Sequence, residues 1–242
     1  MIALAILPLM AADAWVLPSA RNEIAVAGEI RVRVKSSEIV EAFRHIETLK
    51  RCAEVPAVGR FGVTPQLADL NQVPESDRAR MLDAARRYRR EGRANAAFEG
   101  LAGRSERLVE VAPELQRFLT AYPSQPLDTE EDFLYWSRER LGPKTISTIT
   151  HAVVYRPRQP GITLIATKQV YASGFVDASL GLTVIEDDAV GSRVTYINRT
   201  VAGVLGGWLR PFIAGHTLST MRRKLDDLRE RLERQPVAVS VR

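Results

Sequence analysis

Residues 145–200 contain TISTITHAVVYR (145–156), ITLIATKQVYAS (162–173), FVDASLGLTVIE (175–186) and SRVTYINRT (192–200). All four segments are rich in threonine, valine, isoleucine and tyrosine, the residue types that favour strands. Turn signals separate them at Pro157–Gly161, Gly174 and Asp187–Gly191. Because connections this short join only antiparallel neighbours, the sequence predicts a four-stranded antiparallel meander.

A long amphipathic helix is predicted after the meander. Apolar side chains recur there at spacings of three and four residues and form one stripe, made of Leu218, Met221, Leu225, Leu228 and Leu232. Charged residues four apart, such as Glu230 and Arg234, lie on the other side. We expect the stripe to pack on the sheet, with a coiled-coil dimer as the alternative. Before it, Pro211 is predicted to bend an apolar helix over 204–213.

The first half of the chain begins with a strand and a helix. Ile30, Val32 and Val34 alternate with basic residues, which predicts a strand over 24–34. An apolar pattern of helical spacing then runs from Ser36 to Leu49. Further patterns predict a short strand at 55–63 and helices from Pro74, at 110–122 and over 128–141. The last of these rests on a capping-box pattern of Asp128 and Glu131, with Gly142-Pro143 as the helix end.

Composition excludes several classes of protein. Apolar residues make up 45% of the chain and charged residues 26%, which is typical of a folded globular protein. The net charge is +5, and Arg86–Arg90 is its densest cluster. Only one aromatic interrupts that cluster, so a solvated helix face is favoured and nucleic-acid binding is not expected. The lone Cys52 excludes an intrachain disulfide and a multi-cysteine zinc site.

The N-terminal residues predict export. Residues 2–11 are nearly all apolar, and Ala12-Asp13-Ala14 offers small residues for cleavage, although a positively charged start is missing. We therefore interpret residues 1–20 as a signal-peptide remnant of an exported protein, periplasmic or extracellular. The alternatives are a buried N-terminal element and a cytoplasmic location.

The order of elements resembles the START-like (SRPBCC, helix-grip) superfamily. Residues THAVVYRP (150–157), IATKQVYAS (165–173), DASLGLT (177–183), TYINR (195–199) and GGWLRPF (206–212) further resemble a group of exported bacterial proteins near it. The resemblance covers residues 145–234 well, and 36–62 and 128–137 weakly. Residues 64–110 depart from it, because a cysteine-bearing segment expected there is missing.

This resemblance implies an α+β helix-grip fold, in which a curved antiparallel sheet wraps around the C-terminal helix. It implies one domain at 21–236, with a helical insertion at 64–143 and the meander plus helix at 144–235. It also implies a pocket between sheet and helix that binds or transports a hydrophobic small molecule or lipid. No cofactor and no metal are expected. We assign to the pocket Tyr155, Lys168, Tyr171, Phe175, Leu182, Tyr196, Trp208 and Phe212.

The sequence leaves two other functions open. HExxH, GxSxG, Walker and GxGxxG motifs are all missing from the sequence. A cyclase- or hydrolase-like enzyme would need a pocket histidine beside a carboxylate, and His151 and Asp177 are the candidates. A basic peripheral membrane protein would dock through Trp208–Phe212 and the arginines nearby.

Overall fold

Eight antiparallel strands form one sheet in the computed structural model, which describes residues 12–92, 96–128, 131–141, 144–174, 176–206 and 210–234. The strands are β1 (Asp13–Val16), β2 (Glu23–Val32), β3 (Ala57–Arg60), β4 (Glu131–Leu141), β5 (Lys144–Tyr155), β6 (Ile162–Ala172), β7 (Val176–Asp187) and β8 (Ser192–Ala202). Their order across the sheet is β1-β2-β8-β7-β6-β5-β4-β3. The predicted meander is therefore confirmed as β5 to β8.

Seven α-helices accompany the sheet in the described part of the chain. They are α1 (Ser36–Arg44), α2 (Ile46–Leu49), α3 (Glu75–Glu91), α4 (Ala96–Gly103), α5 (Glu106–Val111), α6 (Pro113–Ala121) and α7 (Arg210–Arg234). Short 3-10 turns lie at Leu67–Leu70 and Gly203–Gly206. A curved antiparallel sheet with a long C-terminal helix confirms the predicted α+β helix-grip class.

The leucine stripe of α7 packs inside the chain. Met221, Leu225 and Leu232 are buried in one cluster with apolar residues of β2, β6, β7 and β8. Gly28 on β2 permits the close approach, because a Cβ there would lie 2.5 Å from Leu225 Cδ1 and 3.1 Å from Met221 Sδ. The stripe is therefore not the seam of a coiled-coil dimer.

Helices α3 to α6 cover the other side of the sheet. Leu101, Leu115 and Phe118 from these helices pack with Leu164 and Leu182 from the strands. Farther along, Met81 and Tyr88 of α3 pack with residues of β4, β5 and β6. The sheet thus lies between two layers, with α1, α2 and α7 on one face and the inserted helices on the other.

The helix predicted over 128–141 is wrong, since Glu131–Leu141 forms β4. Phe133 and Tyr135 pack under α2, whereas Leu134 and Trp136 pack under α3. A strand buried on both faces has a continuous apolar run, which periodicity alone does not distinguish from a buried helix. The inserted helices consequently end at Ala121 rather than at 143, and the domain bounds at 21–236 stay a prediction.

The apolar helix predicted over 204–213 lies only partly within the described residues. The segment Gly203–Gly206 forms a 3-10 turn, and α7 begins at Arg210. Residues 207–209 lie outside the described residues, so the bend at Pro211 stays a prediction.

The N-terminal segment contributes to the sheet. Within the residues interpreted as a signal remnant, Asp13–Val16 pairs as β1 with Val26–Glu29 of β2. In the described residues, we find no helix with the length and apolar content needed to cross a membrane. Export stays a prediction.

Candidate functional site

The register of the sheet assigns each strand residue to one of two faces. Side chains directly opposite one another in an antiparallel ladder lie on the same face. Thr183 pairs with Ile165 on one side and with Tyr196 on the other, and both partners pack in the cluster that contains α7. We call this side, marked by Ile165, Thr183 and Tyr196, the inner face. The side marked by His151, Lys168 and Leu182 is the outer face.

Solvent reaches the middle of the inner face. Polar side chains at the centre of the sheet are only half-buried there, namely Thr167, Gln169, Ser179, Thr183, Asn198 and Thr200. The helices pack elsewhere, because α7 lies chiefly on β1 and β2 and α2 lies on β3. Central strands of a filled core carry buried apolar side chains instead. The inner face therefore borders a solvent-reachable space between the two helical supports.

Hydroxyl and amide groups on this face are linked to one another. Asn198 Nδ2 donates to Tyr196 Oη over 3.3 Å and to Ser179 Oγ over 3.4 Å. Thr200 Oγ1 donates to Asn198 Oδ1 over 2.9 Å and lies 3.1 Å from Ser179 Oγ. These neighbours hold the polar side chains in place without closing off the space.

An ion pair lies at the β4 side of the space. Lys50 Nζ, just after α2, lies 2.6 Å from Glu139 Oε1 on β4. Burial opposes both charges, but each partner outweighs it, raising the pKa of Lys50 and lowering the pKa of Glu139 to about 2. Solvent nevertheless reaches 25% of the Lys50 side chain and 26% of the Glu139 side chain. The pair is surrounded by protein and still faces water.

Apolar side chains from the helices complete the lining. Phe43, Leu49, Ile213 and Leu218 are only partly buried where they pack against the inner-face cluster. The space consequently has apolar side chains from the helices on one side and polar side chains from the sheet on the other. Such a mixture is typical of a small-molecule site.

A second polar group lies on the outer face, beneath the inserted helices. His151 is fully buried, with Nε2 2.8 Å from Asp132 Oδ1 and Nδ1 2.7 Å from Tyr88 Oη. Because an ionised carboxylate only accepts, Nε2 carries the proton and Tyr88 donates to Nδ1. Arg89 NH1 donates to the same Asp132 oxygen over 2.9 Å.

This arrangement suits His151 to a structural role. Burial lowers its pKa and outweighs the opposing pull of Asp132, so the ring is neutral. Both ring nitrogens are occupied, and neither is presented to a space that a substrate can enter. A general base needs a nitrogen within reach of the substrate proton. The predicted pairing of His151 with Asp177 is wrong, because Asp177 is exposed and Asp132 is the acid that contacts the histidine.

Four predicted pocket residues face away from α7. Tyr155 and Leu182 are buried among the inserted helices, and Lys168 donates to the Leu119 carbonyl over 2.6 Å. Tyr171 lines an outer-face groove of about 410 Å³ with Arg80 and Arg87. Their assignment to a pocket between sheet and C-terminal helix is wrong, since alternation along a strand does not say which face is which.

The remaining predicted residues divide differently. Tyr196 lies on the inner face beside the polar side chains just described. Phe212 of α7 is 71% exposed, and a membrane-surface contact there stays a prediction. Phe175 and Trp208 lie outside the described residues.

Sequence reasoning missed the residues that define the space. Glu139 was hidden in a segment predicted as a helix, and Asn198 and Lys50 carry no motif. The sequence of β8 does contain one signal for this space. Polar residues occupy both faces of this central strand, since Thr195, Ile197 and Arg199 alternate with Tyr196, Asn198 and Thr200. Among the described residues, no cluster of histidine, cysteine and acidic side chains is suited to a metal ion.

Comparison with known proteins gives likenesses of shape only. No family model matches the chain, and no curated protein matches it. A STAR-related lipid transfer protein from Xanthomonas axonopodis is 12% identical with a TM-score of 0.49, over 92% of this chain and 99% of that one. A protein from Thermus thermophilus has the same identity and TM-score, over 90% of this chain and 99% of that one. At these values the two likenesses identify neither a ligand nor the narrower group of exported proteins.

Proposed function

We propose that the chain binds a hydrophobic or amphipathic small molecule, such as a lipid, between the inner face of the sheet and helices α1, α2 and α7. The observation that carries the proposal is solvent access to the centre of the inner face, where a filled core would have buried apolar side chains. Half-buried Phe43, Leu49 and Leu218 offer apolar contact area to such a ligand. Covering them displaces water, which is favourable by about 25 cal/mol per Å² of apolar surface.

Binding of the uncharged dye Nile red tests the proposal. Thr183→Phe places a large ring at the centre of the inner face, because Thr183 lies between Ile165 and Tyr196. We expect dye affinity to fall by about tenfold or more, since a clash of about 1–3 kcal/mol is typical of overfilling. Fluorescence titration measures the affinity, and native mass spectrometry of the purified protein shows any ligand retained from the cell.

Val190→Phe is the matched control, because it adds the same ring at a turn residue that is 78% exposed. Circular dichroism verifies that both variants fold. Equal dye affinity in the wild type and Thr183→Phe would show that binding occurs elsewhere, and the proposal would fail.

A further inference from the structure

The polar end of the space has a definite composition. We use the name polar cluster for Lys50, Tyr135, Ser137, Glu139 and Tyr196. Lys50 Nζ donates to Glu139 Oε1 over 2.6 Å and to Ser137 Oγ over 3.1 Å, and lies 5.0 Å from the centre of the Tyr135 ring. Tyr196 belongs to the same group, because Tyr135, Lys50 and Glu139 all influence the pKa of its hydroxyl, which burial raises.

Part of the hydrogen-bonding capacity of the polar cluster is directed at no described residue. The Glu139 carboxylate accepts from Lys50 and Ser137 through Oε1 alone, and within the described chain nothing donates to Oε2. The Lys50 ammonium has three N–H groups and uses two. Tyr196 Oη accepts from Asn198, and its own proton goes to no described acceptor. One acceptor and two donors are thus available to a ligand.

Within the polar cluster itself the two charges balance, and the exposed Lys224 of α7 adds a further positive charge that also lowers the pKa of Glu139. Glu139 and Lys50 are both ionised at neutral pH, because each stabilises the charge of the other. A carboxylate brought in by a ligand would meet Glu139 with Lys50 already neutralised, and an ammonium would meet Lys50 in the same way. An unpaired charge in such an enclosed place is costly. An uncharged polar group incurs no such cost.

We infer that the polar cluster recognises a neutral hydroxyl, amide or carbonyl group at one end of an otherwise apolar ligand. This inference rests on the proposed function, since it specifies the ligand class of the same space. A hydroxyl donates to Glu139 Oε2 while its oxygen accepts from both Lys50 and Tyr196. The apolar remainder of the ligand contacts Phe43, Leu49 and Leu218.

Displacement of Nile red by four probes of equal chain length tests the inference. The probes are decanol, decanamide, decanoate and decylammonium. With the wild-type protein, decanol and decanamide should displace the dye at concentrations about tenfold lower than either charged probe, because an unpaired charge in the space costs at least about 1.4 kcal/mol. If no probe displaces the dye, and the dye itself does not bind, the proposed function fails. If all four displace it equally, the inference alone fails.

Charge variants of the polar cluster should change the preference in opposite directions. Glu139→Gln leaves Lys50 without its anion, so decanoate should become the best probe. Lys50→Gln leaves Glu139 without its cation, so decylammonium should become the best probe. General damage to the fold would weaken all probes together and would not reverse their order. Unchanged order in both variants would overturn the inference.

Two further variants keep the test decisive if breaking the ion pair prevents folding. The double variant Lys50→Gln/Glu139→Gln has no net change in charge, and it should keep the preference for neutral probes. Tyr196→Phe keeps the ion pair and removes one hydroxyl donor. Decanol affinity should then fall about three- to tenfold relative to Nile red affinity in the same variant, the usual range for one hydrogen bond. Unchanged decanol affinity in Tyr196→Phe would contradict the inference.

Discussion

The surroundings of a buried polar residue in this protein depend on which face of the sheet it lies on. His151 is enclosed between the sheet and the inserted helices, with both ring nitrogens hydrogen-bonded. Lys50 and Glu139 are enclosed on the other face, but solvent reaches a quarter of each side chain. The first arrangement stabilises a core, whereas the second leaves polar atoms within reach of solvent, where we propose that a ligand binds. Residue type alone would have ranked His151 above Lys50 and Glu139 as a candidate functional residue.

Acidification should destabilise the protein through His151. Burial lowers its pKa below the ordinary value, so the unfolded chain takes up a proton before the folded one does. The stabilisation is fully present above the unfolded pKa of about 6.5 and is lost as the pH falls below it. Urea unfolding between about pH 7.5 and about pH 5.5 should show a falling free energy of unfolding.

The variant His151→Gln is the comparison for this pH effect. It should cost about 1–3 kcal/mol at neutral pH, because it disturbs the bonds to Asp132 and Tyr88. Its stability should depend less on pH across the same window. A pH slope equal to that of the wild type would assign the effect to another group.

At the level of elements, α7 is held by shape as well as by apolar contact. Gly28 gives the helix its close approach to β2, where a Cβ would meet Leu225 Cδ1, Asp13 O and Met221 Sδ within 3.1 Å. The outer side of the helix also makes contacts, since Arg231 donates to the Leu49 carbonyl over 3.0 Å. A charged residue on the side opposite the apolar stripe therefore also connects α7 to the end of α2.

Substitution at Gly28 should loosen this packing. We expect Gly28→Ala to lower the free energy of unfolding by about 1–3 kcal/mol through overpacking. Leu225→Ala alone should cost about 2–5 kcal/mol by leaving a cavity. The double variant should cost less than the sum, because the two changes share one contact.

Urea unfolding followed by far-ultraviolet circular dichroism measures these three values. Leu67→Ala, at a position that is 54% exposed, serves as the control and should change stability little. Strict additivity of the two changes would show that Gly28 and Leu225 do not share a contact.

On the scale of the whole molecule, one buried acid connects four parts of the chain. Glu23 on β2 is fully buried and lies 2.6 Å from Arg199 NH1 on β8 and 2.9 Å from Arg104 NH2 after α4. It also accepts from the Ala20 backbone N–H over 3.3 Å. The arginine on the strand is 9% exposed and that on the insertion 44% exposed. The inserted helices are thus anchored to the sheet by charge as well as by apolar packing.

Removing this acid should be far more damaging than removing its exposed partner. Glu23→Ala leaves Arg199 as a buried charge without its partner, which should cost about 3–5 kcal/mol. Arg104→Ala leaves the inner pair intact and should cost no more than about 1 kcal/mol, as for other exposed pairs. Thermal and urea unfolding of both variants check the difference, and equal losses would contradict it.

The sequence by itself determined the elements whose pattern is local. Short turns required β5 to β8 to be antiparallel neighbours, and the spacing of Met221, Leu225 and Leu232 required a helix with one buried side. Local pattern failed for β4, because a strand buried on both faces resembles a buried helix. The local pattern also assigned Lys168 and Leu182 to the wrong face of the sheet, because alternation separates the two faces without showing which of them packs against α7.

Only the tertiary structure decided which face is filled and which is open. The inserted helices close the outer face around His151 and Lys168, whereas α1, α2 and α7 leave the centre of the inner face within reach of solvent. The pairing of Lys50 with Glu139 joins residues that are far apart in the chain. Such a contact depends on the register of the sheet and on the path of the helices, and both are set by packing across the whole molecule.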